Sequence, residues 1–159
     1  MVRDPRTATE RGGILRAMKL YFAGPLFSAA ERAWNVELVA ALRAGGHEVF
    51  VPQDQEKGKR AAGIFATDVG GIDWADALVA VMDGPDPDSG TAWECGYAYG
   101  KKPIVVVRTD FRVSTGSDGA HYNPMLTESA TIRLDLPLAP MSEVAAAVLG
   151  AVASMEVPR

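Results

Sequence analysis

Ala77-Leu78-Val79-Ala80-Val81-Met82 is an unbroken apolar run, and Asp83-Gly84-Pro85-Asp86-Pro87-Asp88-Ser89-Gly90 follows it directly. A run with no polar residue cannot alternate between a wet and a dry face, so it reads as a central parallel strand covered on both sides. The segment after it is dense in Pro, Gly and Asp and reads as a turn-rich loop outside regular structure. A helix from Thr91 to about Gly100 comes next, then Lys101-Lys102-Pro103 and a second apolar strand, Ile104 to Val107. Strand, loop, helix and strand in that order make a βαβ unit and point to an α/β fold.

The same alternation extends upstream. Lys19-Leu20-Tyr21-Phe22-Ala23 is a strand closed by the breaker pair Gly24-Pro25. Ser28 with Glu31 forms a capping box that opens a helix, whose expected buried stripe is Ala30, Trp34, Leu38 and Leu42 and whose end is Gly45-Gly46. His47 to Val51 is a second strand stopped by Pro52, and a polar loop through Gln53, Gln55 and Lys59 leads to a helix over about Ile64 to Trp74, with Gly70-Gly71 inside it.

Downstream, Arg108 to Glu128 is a long irregular stretch of the kind that serves as a binding loop or an interface. A short strand near Thr131 to Leu134 and a helix from Ser142, with Val144, Val148 and Val152 on one face, complete the pattern. Five strands joined by right-handed crossovers predict a flavodoxin-like, doubly wound parallel sheet with helices on both faces. Its ligand cleft lies beyond the carboxyl ends of the strands, so the loops after Phe22, Val51, Met82 and Val107 are expected to meet.

The 159 residues suit one domain, read here as residues 18–159 behind a loose tail, residues 1–17, in which Arg3, Arg6, Arg11 and Arg16 lie among Thr, Gly and Pro5 without apolar periodicity. An Arg-rich targeting leader is the alternative for that tail, and Asp4 and Glu10 speak against it. With 16 basic and 20 acidic residues, a net charge of −4 and no basic run interleaved with aromatics, nucleic acid is not an expected partner. The longest low-charge stretch, Val144 to Met155, is shorter than the ~20 apolar residues of a membrane span. The expected location is therefore the cytoplasm.

The cleft loops carry a concentration of polar groups: Tyr21, Gln53, Gln55, Asp86, Asp88 and Glu94. Carboxylates crowded into a partly desolvated site shift one another's titration, so one can stay ionised while another holds a proton. Each has an ordinary structural alternative. Thr91-Ala92-Trp93-Glu94 is also a capping box in which Glu94 binds the backbone of Thr91. Asp88 is also a turn residue before Ser89-Gly90, Asp68 is also a helix-surface carboxylate, and Asp76 caps the approach to the apolar strand. His47, His121 and Cys95 have no metal-ligand spacing, and neither a phosphate loop nor a G-x-G-x-x-G turn is present, so neither a metal nor a cofactor is expected.

Tyr21-Phe22-Ala23-Gly24-Pro25 with Phe27, the stretch from Asp68 to Asp76, Asp88-Ser89-Gly90-Thr91-Ala92-Trp93-Glu94-Cys95-Gly96-Tyr97-Ala98, and Asn123-Pro124-Met125 occur in an order that resembles the nucleoside 2-deoxyribosyltransferase family. The resemblance runs from about Lys19 to Leu126. It implies an enzyme acting on a deoxynucleoside and a nucleobase, with Glu94 as the nucleophile that forms a covalent 2-deoxyribosyl ester. It further implies that Tyr21 orients that carboxylate and that Asp68 handles the proton on the base. Asp88 would bind the sugar 5′-hydroxyl, helped by Asn123 from a neighbouring subunit of a self-associated protein. Gly24, Met125, Gln53 and Gln55 would complete the substrate-binding set. The loop after Pro52 is one residue shorter than in the bacterial members, which leaves the choice between Gln53 and Gln55 as base reader open.

The chemistry agrees with these residue types. A carboxylate displaces a base only if the departing nitrogen is neutralised, which requires a proton donor on the base side. A 2-deoxy sugar reaches an oxocarbenium-like transition state readily because C2 carries no electron-withdrawing hydroxyl, so no metal is required. The nearest rival on this fold is a deoxynucleoside 5′-monophosphate N-glycosidase, which sends the sugar to water. Asp88 opposes it, because a carboxylate beside the 5′-oxygen repels a phosphate, although Ser89 and Thr91 would suit a phosphate if Asp88 turned away. A cytokinin-activating type of phosphoribohydrolase lacks its glycine-rich approach to Thr91 here, and a non-catalytic nucleotide sensor would use Glu94 only as a cap.

Overall fold

The computed structural model describes residues 16–55, 57–112 and 122–155. Its centre is β3 (Ala77–Val81), buried at every position. The other strands are β1 (Lys19–Ala23), β2 (Glu48–Phe50), β4 (Ile104–Arg108) and β5 (Ile132–Asp135). All pair in parallel, in the order β2-β1-β3-β4-β5 expected of a flavodoxin-like sheet.

Pleating divides the side chains between two cores. Leu20, Phe22, Val79, Val81 and Val107 face α1 (Ala29–Ala44) and α6 (Met141–Ser154), where they meet Leu38, Leu42, Val144, Val148 and Val152. Tyr21, Ala23, Leu78, Ala80, Ile104 and Val106 face the other layer, which is built from α3 (Ala61–Trp74) and α4 (Ser89–Ala98) and contributes Ile72, Cys95 and Ala98. Two four-residue helices, α2 (Pro52–Gln55) and α5 (Pro124–Thr127), sit in stretches read from sequence as irregular.

Helix α1 has the capping box expected of it: Ser28 accepts from the Glu31 amide at 3.2 Å, and Glu31 accepts from the Ser28 amide at 2.7 Å. Its buried stripe departs from expectation. Ala30 is exposed and Trp34 only partly buried, whereas Asn35 is 3% exposed. An amide can lie on that face because both hydrogens of its nitrogen are used, toward the Pro25 carbonyl (2.9 Å) and Gln53 Oε1 (3.1 Å). Asp76 takes the expected position, accepting from the Lys19 amide at 2.9 Å and so joining the base of β3 to β1.

Residues 1–15 of the expected tail, Glu56 of the polar loop, and residues 113–121 of the long irregular stretch, His121 included, lie outside the described residues. Among the described residues no helix is long and apolar enough to cross a membrane.

Candidate active site

Tyr21 is the third residue of β1, not its end, and its side chain emerges on the α3/α4 side of the sheet. Its hydroxyl donates to Oε1 of Glu94 at 2.6 Å, a length typical of an O–H donor on a carboxylate anion. Glu94 lies in the second turn of α4 and is half-buried. The capping alternative for Glu94 is not what the helix adopts. Asp88 is the N-cap, its Oδ2 accepting from the Thr91 amide at 2.9 Å and the Thr91 hydroxyl at 3.2 Å. Thr91 is thereby inside the helix and Glu94 is turned toward Tyr21. Asp88 satisfies its turn-residue reading and still stands at the carboxyl end of β3, where the cleft was expected.

The neighbouring Cys95 is wholly buried, and burial, followed by the charge of Glu94, pushes its thiol up to about 12. A thiol so held remains protonated and is a poor nucleophile.

Asp68 is half-buried in the middle of α3. Helices α3 and α4 are joined by an aromatic row: Phe65 meets Trp93 edge-on at 5.3 Å, and Trp93 stacks on Tyr97 at 5.3 Å. The first contact lies three residues before Asp68 on one helix and one before Glu94 on the other, so it fixes the two carboxylate-bearing helices close to both groups.

Gly24 follows β1 where a Cβ would come within 3.2 Å of Val81 Cβ, so the bare backbone lets the ends of β1 and β3 approach. Gln53 turns its amide toward α1, with Oε1 accepting from Asn35 and Nε2 donating to the Arg32 carbonyl at 3.5 Å. Gln55 is exposed at the end of α2. Asn35 thus ties the loop after β1 to the segment after β2, a function its hydropathy conceals. An amide inside an otherwise apolar helical stripe was the signal available in the sequence.

A second connection holds the loop that carries Asp88. Arg108, 2% exposed, donates to the Met82 carbonyl, to the Gly84 carbonyl at 3.1 Å and to the Arg112 carbonyl at 2.7 Å. Asp83 accepts from the Thr109 and Asp110 amides at 2.6 and 3.0 Å, and Asp110 accepts from the Gly84 amide at 3.2 Å. Gly84 itself has φ +116°, a conformation that only glycine takes without strain. The loops after β3 and β4 are therefore stitched together, and the start of α4 is anchored to both.

Asn123 lies apart from this cluster, on the surface at the start of α5, where its Oδ1 accepts from the Met125 amide at 2.9 Å. Met125 is 79% exposed. Both border a groove of about 480 Å³ between α4 and α5, floored in part by Ala92, Gly96 and Tyr99. Among the described residues no three His, Cys, Asp or Glu side chains gather as metal ligands would.

Of the sequence-expected site residues, then, Tyr21 and Glu94 meet directly. Asp88 stands at the N-terminus of Glu94's own helix, Asp68 lies on the helix packed beside it, Gly24 lies after β1, and Gln53 is engaged with α1.

A sequence-family model described as nucleoside 2-deoxyribosyltransferase matches residues 20–132. No curated protein sequence matches the chain. Among solved structures, a 2-deoxyribosyltransferase from the psychrotolerant bacterium Bacillus psychrosaccharolyticus is 25% identical, with 82% of this chain and 94% of that one covered and a TM-score of 0.64. A 2-desoxiribosyltransferase from Leishmania mexicana is 24% identical, with 86% and 98% covered and a TM-score of 0.65. A CMP N-glycosidase from Clostridium botulinum is 18% identical, with 82% and 98% covered and a TM-score of 0.60. The last two likenesses speak to the fold alone.

Proposed function

Because the chain belongs to the nucleoside 2-deoxyribosyltransferase family, we propose that it moves the 2-deoxyribosyl group of a deoxynucleoside to an acceptor nucleobase by double displacement. The observation that carries this reading is the 2.6 Å hydrogen bond from Tyr21 to Glu94. A phenol bound to one carboxylate oxygen fixes the rotation of the group, and a nucleophile that must meet a single carbon needs that orientation.

In the first half-reaction a Glu94 oxygen bonds to C1′ as the C1′–N bond breaks. The bonding electrons go to the base nitrogen, and the Asp68 carboxyl supplies the proton that neutralises the departing base. In the second, a nitrogen of the incoming base attacks C1′, the ester bond returns its electrons to Glu94, and Asp68 takes up a proton. Two inversions restore the original configuration at C1′.

Asp88, at the mouth of α4, binds the 5′-hydroxyl. Its second carboxylate oxygen accepts no hydrogen bond among the described residues, whereas Oδ2 is committed to Thr91. The same carboxylate, together with its occupation of the Thr91 amide, disfavours a 5′-phosphate and hence the monophosphate N-glycosidase reading. Gln53, Gln55 and Gly24 border the base and sugar. Asn123 and Met125 enter the site of a second copy: both are exposed, and Gly96 on the adjacent face of α4 has open space where a Cβ would be, which allows close approach of another chain.

The test is to incubate the protein with a deoxynucleoside and a different free base. The proposal expects a new deoxynucleoside whose formation depends on the added base. Free deoxyribose formed regardless of the base would make the protein a hydrolase, and no product of either kind would refute catalysis at this site.

A further inference from the structure

Phe50 and Tyr21 are register partners on the adjacent parallel strands β2 and β1. Their rings are parallel within 12° and their centroids are 5.4 Å apart. Beyond the Phe50 ring lies α3, which presents Gly71 to it. A Cβ on Gly71 would fall 2.6, 2.7 and 2.8 Å from Phe50 Cε1, Cδ1 and Cζ, closer than real carbon contacts come. Glycine weakens a helix interior, and here it is the residue that leaves room for the ring.

We infer that Phe50 and Gly71 are positioning residues for the reaction: the Phe50 ring, set between the Tyr21 ring and the bare backbone of Gly71, holds the Tyr21 hydroxyl on Glu94. The stack fills the space on one face of the Tyr21 ring, and the opposite wall of that space is backbone, which yields little. Gly71 also lies three residues after Asp68 on α3. The same close approach thus sets how near the Asp68-bearing helix comes to the sheet. Neither residue reaches a reacting atom; each acts through a neighbour that does.

This inference rests on the reading of Glu94 as nucleophile, and the test separates the two. Base exchange is measured for Glu94→Ala, Tyr21→Phe, Phe50→Leu, Gly71→Ala and the doubles Tyr21→Phe/Phe50→Leu and Phe50→Leu/Gly71→Ala, with thermal unfolding recorded for each. Phe50→Leu is expected to lower kcat roughly tenfold with KM little changed, as a small misplacement of a catalytic group does. In the Tyr21→Phe background the same change is expected to add less than about twofold, because its target hydroxyl is already gone. Gly71→Ala is expected to cost more with Phe50 present than with Leu in its place. Losses that multiply independently in both doubles, or wild-type kcat in folded Phe50→Leu and Gly71→Ala, would overturn the inference while an inactive Glu94→Ala left the nucleophile in place. Turnover retained by Glu94→Ala would overturn the nucleophile and this inference with it.

Discussion

The hydroxyl of Tyr21 donates to Glu94 Oε1 across 2.6 Å although 73 residues separate the two in sequence. The contact exists because β1 pairs with β3 in the sheet and α4, which follows β3, packs on that strand, so Tyr21 reaches the helix from the neighbouring strand. Tyr21→Phe keeps the ring, which is wholly buried and stacked on Phe50, and removes only the donor. Hydrogen bonds to charged groups contribute about 1.5–3 kcal/mol. Steady-state exchange should accordingly show kcat/KM reduced by roughly ten- to hundredfold, with circular dichroism unchanged. Full activity would mean that Glu94 needs no such partner.

Asp88 has two tasks that substitution can part. Asn caps helices as well as Asp does, so Asp88→Asn should unfold within about 0.5 kcal/mol of the parent in urea, while Asp88→Ala loses the bond to the Thr91 amide and about 0.5–2 kcal/mol. Deoxynucleoside use should fall in both. Asp88→Ser, which removes the negative charge, should in addition raise activity toward deoxynucleoside 5′-monophosphates relative to nucleosides. An unchanged preference in a competition assay would remove Asp88 from the 5′ end of the substrate.

Asn123 is tested by complementation. If it serves a neighbouring copy, Glu94→Ala and Asn123→Ala subunits mixed and reassembled each supply what the other lacks. Randomly mixed dimers would then regain up to about a quarter of wild-type activity, because half of them hold one complete site. Mixtures no more active than the sum of the two variants, under conditions where subunits exchange, would show that Asn123 acts in its own chain or not at all.

His47 supplies a pH dependence outside the site. Its Nδ1 accepts from the Met18 amide at 3.3 Å, and burial holds the imidazole below its ordinary value of 6.5. Between the folded and unfolded values the unfolded chain binds more protons. The contribution of the neutral ring is therefore complete above the unfolded value and is lost as pH falls through the folded one. The urea midpoint should drop between about pH 7.5 and pH 5.5, and drop less in His47→Gln. Parallel curves for the two proteins would assign the drop to other groups.

Much of this arrangement was legible along the chain. The apolar run of β3, the breaker pair after β1, the Ser28–Glu31 box and the valines of α6 each identify an element, because local hydropathy and capping chemistry determine them. Helices α2 and α5 escaped detection since four residues make one turn and show no period. The start of α4 was misjudged because Asp88-Ser89-Gly90-Thr91 offers three capping side chains, Asp88, Ser89 and Thr91, within four residues, and the helix uses Asp88.

The parts of the site that remained hidden are those made by pairs far apart in sequence. Asn35 was absent from the expected stripe of α1, and its place on the buried face is accounted for by the Pro25 and Gln53 oxygens that its amide reaches. Gly71 counted in the sequence only against its helix, and the structure gives it a purpose, because the Phe50 ring occupies the place of its missing side chain. Arg108 extends an apolar strand by a residue whose charge is met by carbonyls of loops on either side. None of these partnerships leaves a periodic trace.

The account depends most on Glu94 bonding to C1′. The direct measurement is to quench the protein during turnover of a deoxynucleoside analogue whose second displacement is slow, digest it, and weigh the peptides. The peptide that contains Glu94 should carry the mass of one deoxyribosyl group, and that mass should disappear when a free base is added before the quench. An unmodified Glu94 peptide in a preparation that is turning over, or an adduct on another residue, would contradict it.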